Sequence, residues 1–304
     1  MASFIIQGSI VYSNTSQDIV ENGFKGGVYT VKHDRNSGIT SIDTFKVESD
    51  EIISLPKSSY FNIMSDVEYF FTAETKQRFK EYGFLYKKAI LLHGKPGTGK
   101  TCIVVKLIDT FIKTYKNGLV FFNPDLFGFD AVIKLIHPDV PILVAFEEFD
   151  SICENYSEDR LLSLLDGQVQ RPNTFYVFTT NFLDKIPKRL FRPSRISDSI
   201  EIGLPKTEAR LHYLNAKIKN STSDEDIQKW AELTDGLTID DLKHTVLAVK
   251  CLNKTLEDVI PELIKNHEIL DQYNKKPKEH GLNKYVRNKL DGLFGYDDGE
   301  ENDW

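Results

Sequence analysis

The stretch of sequence that decides the fold is LLHGKPGTGKT, residues 91–101. From Gly94 it has the spacing G-x-x-x-x-G-K-[ST], and it lies between the apolar run AILLH (89–93) and a predicted helix at 101–115. A strand, a glycine-rich loop and a helix in this order are typical of a phosphate-binding loop. Backbone N–H groups and the positive end of the helix then face a polyphosphate.

The loop predicts ATP as the nucleotide and Mg²⁺ as its metal. Lys100 is expected to reach the β and γ phosphates, and Thr101 is expected to hold Mg²⁺. The alternative is an unrelated glycine turn before a helix. The predicted nucleotide-binding residues are Gly94, Lys95, Pro96, Gly97, Thr98, Gly99, Lys100, Thr101 and Cys102.

Polar residues close two further apolar strands. PILVAFEEFD (141–150) ends in Glu147 and Glu148, of which the first is predicted to bind in the magnesium shell and the second to polarise the attacking water. TFYVFTTN (174–181) ends in Asn181, which could orient the same water. The alternatives are two solvated carboxylates at a strand end and an ordinary turn residue.

Outward from the loop, apolar strands alternate with helices, which predicts an α/β fold with a parallel sheet covered on both faces. Four regions are predicted. They are a small β-rich N-terminal module (1–58), an α/β domain with the phosphate loop (59–205), a C-terminal helical lid domain (206–269) with a possible break near Asn253, and a basic linker with an acidic tail (270–304).

Composition and charge exclude several classes of protein. The 304 residues contain 38 Lys and Arg against 45 Asp and Glu, and the net charge of −7 argues against a surface generally adapted to nucleic-acid backbones. Cys102, Cys153 and Cys251 show no paired spacing, so neither a disulfide framework nor a zinc cluster is predicted. A reducing, cytoplasmic location is expected, without a secretion signal or a membrane span.

Four motifs together resemble the AAA family of ATPases, within the AAA+ P-loop superfamily. They are LLHGKPGTGKT, LLSLLDG (161–167), FTTN (178–181) and RLFRPSRISDSIEIGLP (189–205), and the likeness runs from about residue 60 to 267. The single ATPase module also resembles members encoded by bacteriophages. The resemblance implies a homo-oligomeric ring, usually of six subunits, with a nucleotide at each subunit boundary.

The same resemblance implies that arginines from a neighbouring subunit complete each site. Arg195 matches the first arginine finger, and Arg192 precedes the proline of the same motif; the alternative for either is a surface salt bridge. The chain departs from the family where Glu147 replaces an Asp, where Asp198 stands at the second finger, and where Asp240 stands at the second sensor. The first two departures imply looser geometry and slower turnover, whereas AAA proteins proper also lack an arginine at the position of Asp240.

The family resemblance also predicts a loop that faces the central pore. In NPDLFGFDA (123–131) the candidates are Leu126, Phe127 and Gly128, in an order inverted relative to the usual pattern. The alternative is that Phe127 and Phe129 pack as core. The residues that contact adenine are expected within 58–63.

Three functions stay open on the sequence. The leading one is an ATP-driven ring that remodels, unfolds or disassembles a protein partner. A second is a nucleic-acid-associated ATPase, such as a loader or replication accessory, and a third is a weakly hydrolysing scaffold or switch. The second function would use a basic strip made of Lys275, Lys276, Lys278, Lys284, Arg287 and Lys289.

Overall fold

The computed structural model describes residues 3–7, 10–13, 24–46, 52–53, 55, 59–166 and 171–275. Its strands form one sheet in the order β2-β1-β4-β3-β6-β7-β8-β5-β9. The strands are β1 (Ser3–Gln7), β2 (Ile10–Ser13), β3 (Gly27–Asp34), β4 (Ile39–Thr44), β5 (Lys87–His93), β6 (Leu119–Phe122), β7 (Ile142–Phe146), β8 (Thr174–Thr180) and β9 (Asp198–Glu201).

Helices connect these strands and then continue alone after β9. The helices are α1 (Ser59–Phe70), α2 (Ala73–Glu81), α3 (Lys100–Thr114), α4 (Leu126–Ile133), α5 (Phe149–Asn155), α6 (Glu158–Asp166), α7 (Thr207–Ile218), α8 (Asp224–Leu233), α9 (Ile239–Lys250) and α10 (Leu256–Lys275). Within the described residues, no helix is long and apolar enough to cross a membrane.

Five neighbouring strands of the sheet, in the order β6-β7-β8-β5-β9, are parallel, which confirms the predicted α/β class. Strand β5 lies between β8 and β9, and β7 lies between β6 and β8. Because these strands run in the same direction, their carboxyl ends meet at one edge of the sheet. The glycine loop, Glu147 and Asn181 follow the ends of β5, β7 and β8, so the topology places all three at that edge.

The N-terminal strands extend this sheet instead of forming a sheet of their own. Strand β3 pairs in parallel with β6, and β4 pairs antiparallel with β3. The predicted module is therefore β-rich, but its described strands cover the β6 edge of the α/β sheet. The physical reason is that an uncovered β6 would leave a row of unpaired backbone groups.

The sheet buries both of its faces. Along β7, Ile142, Val144 and Phe146 belong to one hydrophobic cluster, while Leu143 and Ala145 belong to the other. Successive side chains of a strand point to opposite faces, so an uninterrupted apolar run such as ILVAF is what a doubly covered strand requires. Two packed layers thus hold the carboxyl edge of the sheet in place.

The chain divides into two compact units, Met1–Leu247 and Ala248–Trp304. The predicted boundary between residues 205 and 206 stays a prediction. The predicted break near Asn253 is confirmed, since α9 ends at Lys250, α10 begins at Leu256 and Asn253 has a φ of 59°. Helix α10 continues to Lys275, beyond the predicted start of the linker. The acidic tail, most of the basic strip and Gly167 lie outside the described residues.

Candidate functional site

The glycine loop folds around the amine of its own lysine. Gly94, Gly97 and Gly99 have φ values of 150°, 77° and 95°, which L side chains rarely adopt. The Lys100 Nζ donates hydrogen bonds of 2.8 Å to the carbonyl oxygens of Gly94 and Lys95. The loop therefore already has a cradle shape, with the charged amine at its centre.

Glu147 lies beside this cradle. The pKa of Glu147 is raised above its ordinary value, chiefly by burial of the side chain and also by the nearby Glu148 carboxylate. A hydrogen bond from Thr101 and the charge of Lys100 partly oppose this rise. Its Oε1 atom is buried and has no hydrogen-bond partner among the described residues. A buried carboxylate oxygen without a partner is unfavourable unless a cation satisfies it. The Thr101 hydroxyl and Glu147 therefore fit the oxygen ligands that Mg²⁺ prefers.

A residue that the sequence analysis missed holds Glu147 in place. The Oδ1 atom of Asn123 accepts a 2.7 Å hydrogen bond from the Glu147 amide. Asn123 follows strand β6 and has a φ of 43°, in the left-handed region that asparagine tolerates better than most residues. The only signal in the sequence is an Asn directly after an apolar strand, which is also what an ordinary turn presents.

Glu148 is exposed and lies in a strained backbone conformation. Its φ and ψ are 51° and 49°, and its amide donates a 3.2 Å hydrogen bond to Thr179 Oγ1. Left-handed geometry at a residue other than glycine is unfavourable by about 1–2 kcal/mol. The neighbouring strand thus helps to hold Glu148 in a conformation that turns the chain sharply before α5.

A hydrogen bond between Thr180 and Asp150 joins the end of strand β8 to the start of helix α5. The Thr180 hydroxyl donates a 2.6 Å hydrogen bond to Asp150 Oδ1, and both residues are buried. Burial lowers the pKa of Lys100, while the charges of Asp150 and Glu147 oppose that shift. Asp150 was also missed by the sequence analysis, although its place two residues after Glu148 was visible. Asn181, half-buried, directly follows Thr180 at the same edge.

The start of helix α9 contacts the glycine loop. The Asp240 amide donates a 3.1 Å hydrogen bond to the Gly97 carbonyl. A Cβ on Gly97 would lie 2.8 Å from Thr238 Oγ1 and 3.1 Å from the Cβ of Asp240. Residues 238–240 therefore require glycine at position 97. Asp240, expected at the second sensor position, thus contacts the loop with its backbone amide.

A substitution at Gly94 tests the shape of the cradle. A Cβ on Gly94 would overlap the carbonyl oxygen of Ile202, whereas a Cβ on Gly99 would meet nothing within 4 Å. Gly94→Ala is expected to lose more stability than the about 1–3 kcal/mol of backbone strain alone, because the overlap with Ile202 adds to that strain. Gly99→Ala is the matched control and carries strain alone. Thermal denaturation measures the difference, and equal melting temperatures of the two variants would contradict this expectation.

Arg195 forms an ion pair within its own subunit. Its Nε lies 3.0 Å from Asp166 Oδ2, and its Nη1 donates to the Arg189 carbonyl at 2.7 Å. Its side chain is 9% exposed, whereas Arg192 is an exposed residue. The salt-bridge alternative thus describes Arg195 in a single subunit, and its role as a finger stays a prediction. Asp198, at the second finger position, pairs with Lys88 at 3.1 Å.

The structure places the three pore-loop candidates at the start of a helix. Residues 126–128 form the first turn of α4, which Asp125 caps by accepting hydrogen bonds from the Phe127 and Gly128 amides. Leu126 is buried in the core, Gly128 packs against β3 and β4, and Phe127 is 43% exposed. The pore loop stays a prediction, and Phe127 is the candidate whose side chain is exposed.

Cation–π contacts hold the Phe127 ring at the surface. The Arg35 and Arg160 guanidinium carbons lie 5.0 and 4.7 Å from its centroid. Phe129, by contrast, is core, as the alternative interpretation of this stretch expected. Arg35 comes from the turn between β3 and β4, so the N-terminal extension fixes the candidate pore residue.

The cysteines offer a test of where nucleotide binds. Cys102 is exposed and directly follows Thr101, Cys251 is exposed, and burial raises the pKa of Cys153 to about 12, with Asp150 and Glu154 adding to the shift. Iodoacetamide at pH 8 is expected to label Cys102 and Cys251 but not Cys153, because the thiolate is the nucleophile. Saturating ATP should protect Cys102 alone. Equal protection of Cys251, measured by mass spectrometry, would contradict this.

Comparison with known proteins matches part of this chain to a family model and to several relatives. Residues 90–204 match the model of the ATPase family associated with various cellular activities (AAA). A proteasome-activating nucleotidase from Aeropyrum pernix is 30% identical over 222 residues, which cover 64% of this chain and 54% of that protein. A cell division cycle protein 48 homolog from Archaeoglobus fulgidus is 29% identical over 61% of this chain and 27% of that protein.

A third relative combines an ATPase with a protease in its name. The ATP-dependent zinc metalloprotease FtsH 2 from Thermoanaerobacter sp. is 27% identical over 180 residues, 53% of this chain and 35% of that protein. The chain therefore spans about half, or less, of the length of these relatives.

Proposed function

Because the chain carries an ATPase domain of the AAA family, we propose that it hydrolyses ATP with Mg²⁺ in a homo-oligomeric ring and remodels a protein partner. The observation that carries the hydrolytic part is the buried Glu147 Oε1 beside Thr101 and Lys100, which has no hydrogen-bond partner in the described part of the chain. These groups converge on a loop whose three glycines have φ values that side chains rarely adopt.

Each residue at the carboxyl edge then has a part in the reaction. The loop amides and Lys100 bind the phosphates, and Thr101 with Glu147 would hold Mg²⁺. When bound, the metal neutralises charge on the phosphate oxygens. Glu148 orients and polarises the attacking water, with Asn181 assisting from the next strand. In this proposal, Arg195 of a neighbouring copy stabilises charge on the transferring group, so hydrolysis depends on assembly.

A protein is the proposed partner because the names of the relatives include a proteasome-activating nucleotidase and an ATP-dependent metalloprotease. A six-membered ring follows from the family resemblance alone. Most of the basic strip that would support a nucleic-acid function lies outside the described residues, and the net charge of −7 does not favour it. A cytoplasmic location stays a prediction from the cysteine pattern.

The test is the ATPase rate per subunit as a function of protein concentration, with Glu148→Gln as the blank. A rate that rises cooperatively with concentration and disappears in the blank is expected for a shared site. Salt-sensitive stimulation by DNA would instead support the nucleic-acid alternative. A rate equal to the blank at every concentration, together with tight ATP binding, would leave the scaffold or switch.

A further inference from the structure

Three large hydrophobic side chains stand in solvent between helix α2 and strand β5. Tyr82 is 75% exposed, Phe84 is 70% exposed and Leu85 is 37% exposed. Exposed hydrophobic residues are ordinary when they are scattered, but a contiguous group marks an interaction site. Residues 82–85 are called the aromatic turn below.

The backbone of the aromatic turn is fixed. The Gly83 amide donates a 3.2 Å hydrogen bond to the Lys80 carbonyl, and the Phe84 amide donates a 2.9 Å bond to the Phe79 carbonyl. Gly83 has a φ of 71°, as is usual where a residue after a helix reverses the chain. The two aromatic rings therefore extend from a formed turn, which lowers the entropy lost when they bind a partner.

The aromatic turn lies at the amino end of strand β5, close to the ion pair between Asp166 and Arg195. The Leu85 carbonyl accepts a 2.8 Å hydrogen bond from the Lys87 amide, and Lys87 begins strand β5. The Lys87 side chain lies 3.8 Å from Asp166, which in turn binds Arg195. The glycine loop is at the opposite, carboxyl end of the same strand, so the turn faces away from the nucleotide site of its own subunit.

We propose that the aromatic turn docks on a second copy of this chain and anchors the subunit contact beside Arg195. The inference rests on the proposed function, because an arginine finger reaches a nucleotide only where another copy covers the surface around it. A second copy is the occupant because the turn leads directly into Lys87, which shares its partner Asp166 with Arg195. Aromatic residues, and Tyr in particular, are enriched among the side chains that dominate interface affinity.

The experiment compares assembly of the full chain and two variants by sedimentation velocity, with Mg²⁺ and the non-hydrolysable ATP analogue AMP-PNP. Tyr82→Ser with Phe84→Ser is expected to raise the concentration for half-assembly at least about tenfold, since hot-spot side chains each contribute that much or more. Leu252→Ser removes another exposed hydrophobic side chain, 59% exposed, and should leave assembly unchanged. Unchanged circular dichroism and melting temperature would show that the variants fold.

A second readout separates docking from chemistry. The double variant should regain its ATPase rate per subunit at high concentration, whereas Arg195→Ala should assemble and stay inactive at every concentration. If the parent chain assembles and the double variant assembles at the same concentration, the inference is wrong and the proposed ring stands. If the parent chain does not assemble with nucleotide at any concentration, both the ring and the docking role are wrong.

Discussion

Replacing Arg195 with Ala is expected to lower the ATPase turnover by about 10³-fold or more, the usual contribution of an arginine finger. The expected loss is in kcat at saturating ATP, with ATP binding retained, because the side chain acts on a nucleotide held by another subunit. Steady-state hydrolysis and equilibrium nucleotide binding measure the two effects separately. Arg189→Ala is the matched control, since the Arg189 side chain lies in the same segment, is 54% exposed and pairs with Glu158 at 3.4 Å.

Mixed rings make the Arg195 prediction sharper. Arg195→Ala and Lys100→Ala chains should each be inactive alone, but an equal mixture should regain activity at about a quarter of its sites if subunits mix at random in a ring. A restored site has an intact Lys100 and receives Arg195 from its neighbour. If the mixture stays inactive although the subunits co-assemble, Arg195 acts within its own subunit, where the structure pairs it with Asp166.

Replacing Glu148 with Gln is expected to lower hydrolysis by about 10²–10⁴-fold, the usual contribution of a positioned general base. The amide keeps the size of the side chain but cannot accept a proton from water. ATP binding should persist because Lys100, Thr101 and the loop are unchanged. Single-turnover hydrolysis with preformed ATP complexes isolates this chemical step from product release.

Glu154→Gln is the matched control for Glu148→Gln. Glu154 lies in helix α5, which begins directly after Glu148, and it pairs with Lys185 at 2.7 Å with 60% of its side chain exposed. A surface ion pair of this kind contributes about 0–1 kcal/mol, so its loss should leave turnover near the parent value. If Glu148→Gln retained the parent turnover, Glu148 would not be the base and the proposed chemistry would be wrong.

The helical segment after the sheet also contacts the glycine loop. The Asp240 amide donates a hydrogen bond to the Gly97 carbonyl, so the loop and the start of α9 are in direct contact. The family resemblance placed Asp240 at a sensor position, but only the fold shows that its backbone makes the contact. Whether its carboxylate changes turnover stays a prediction that Asp240→Ala would test in the same assay.

The sequence by itself determined the parallel sheet, the glycine loop and the acidic strand end. These features are local: an apolar run such as ILVAF requires cover on both faces, and the spacing from Gly94 to Thr101 fits one loop before one helix. Because parallel strands share a direction, the order of motifs was also enough to bring Glu147 and Asn181 to the same edge as Lys100.

Only the tertiary structure decided how these groups are held and what covers them. The carboxyl edge of the sheet is held by hydrogen bonds between residues far apart in the sequence, which involve Asn123, Thr179 and Asp150. The sequence does not show which partner a single polar residue will bind. The N-terminal strands join β6 because an edge needs cover, and Leu126, the first residue of α4, is buried in the core that these strands help to form. Long-range contacts determine pairing and burial, whereas periodicity and spacing report only on neighbours along the chain.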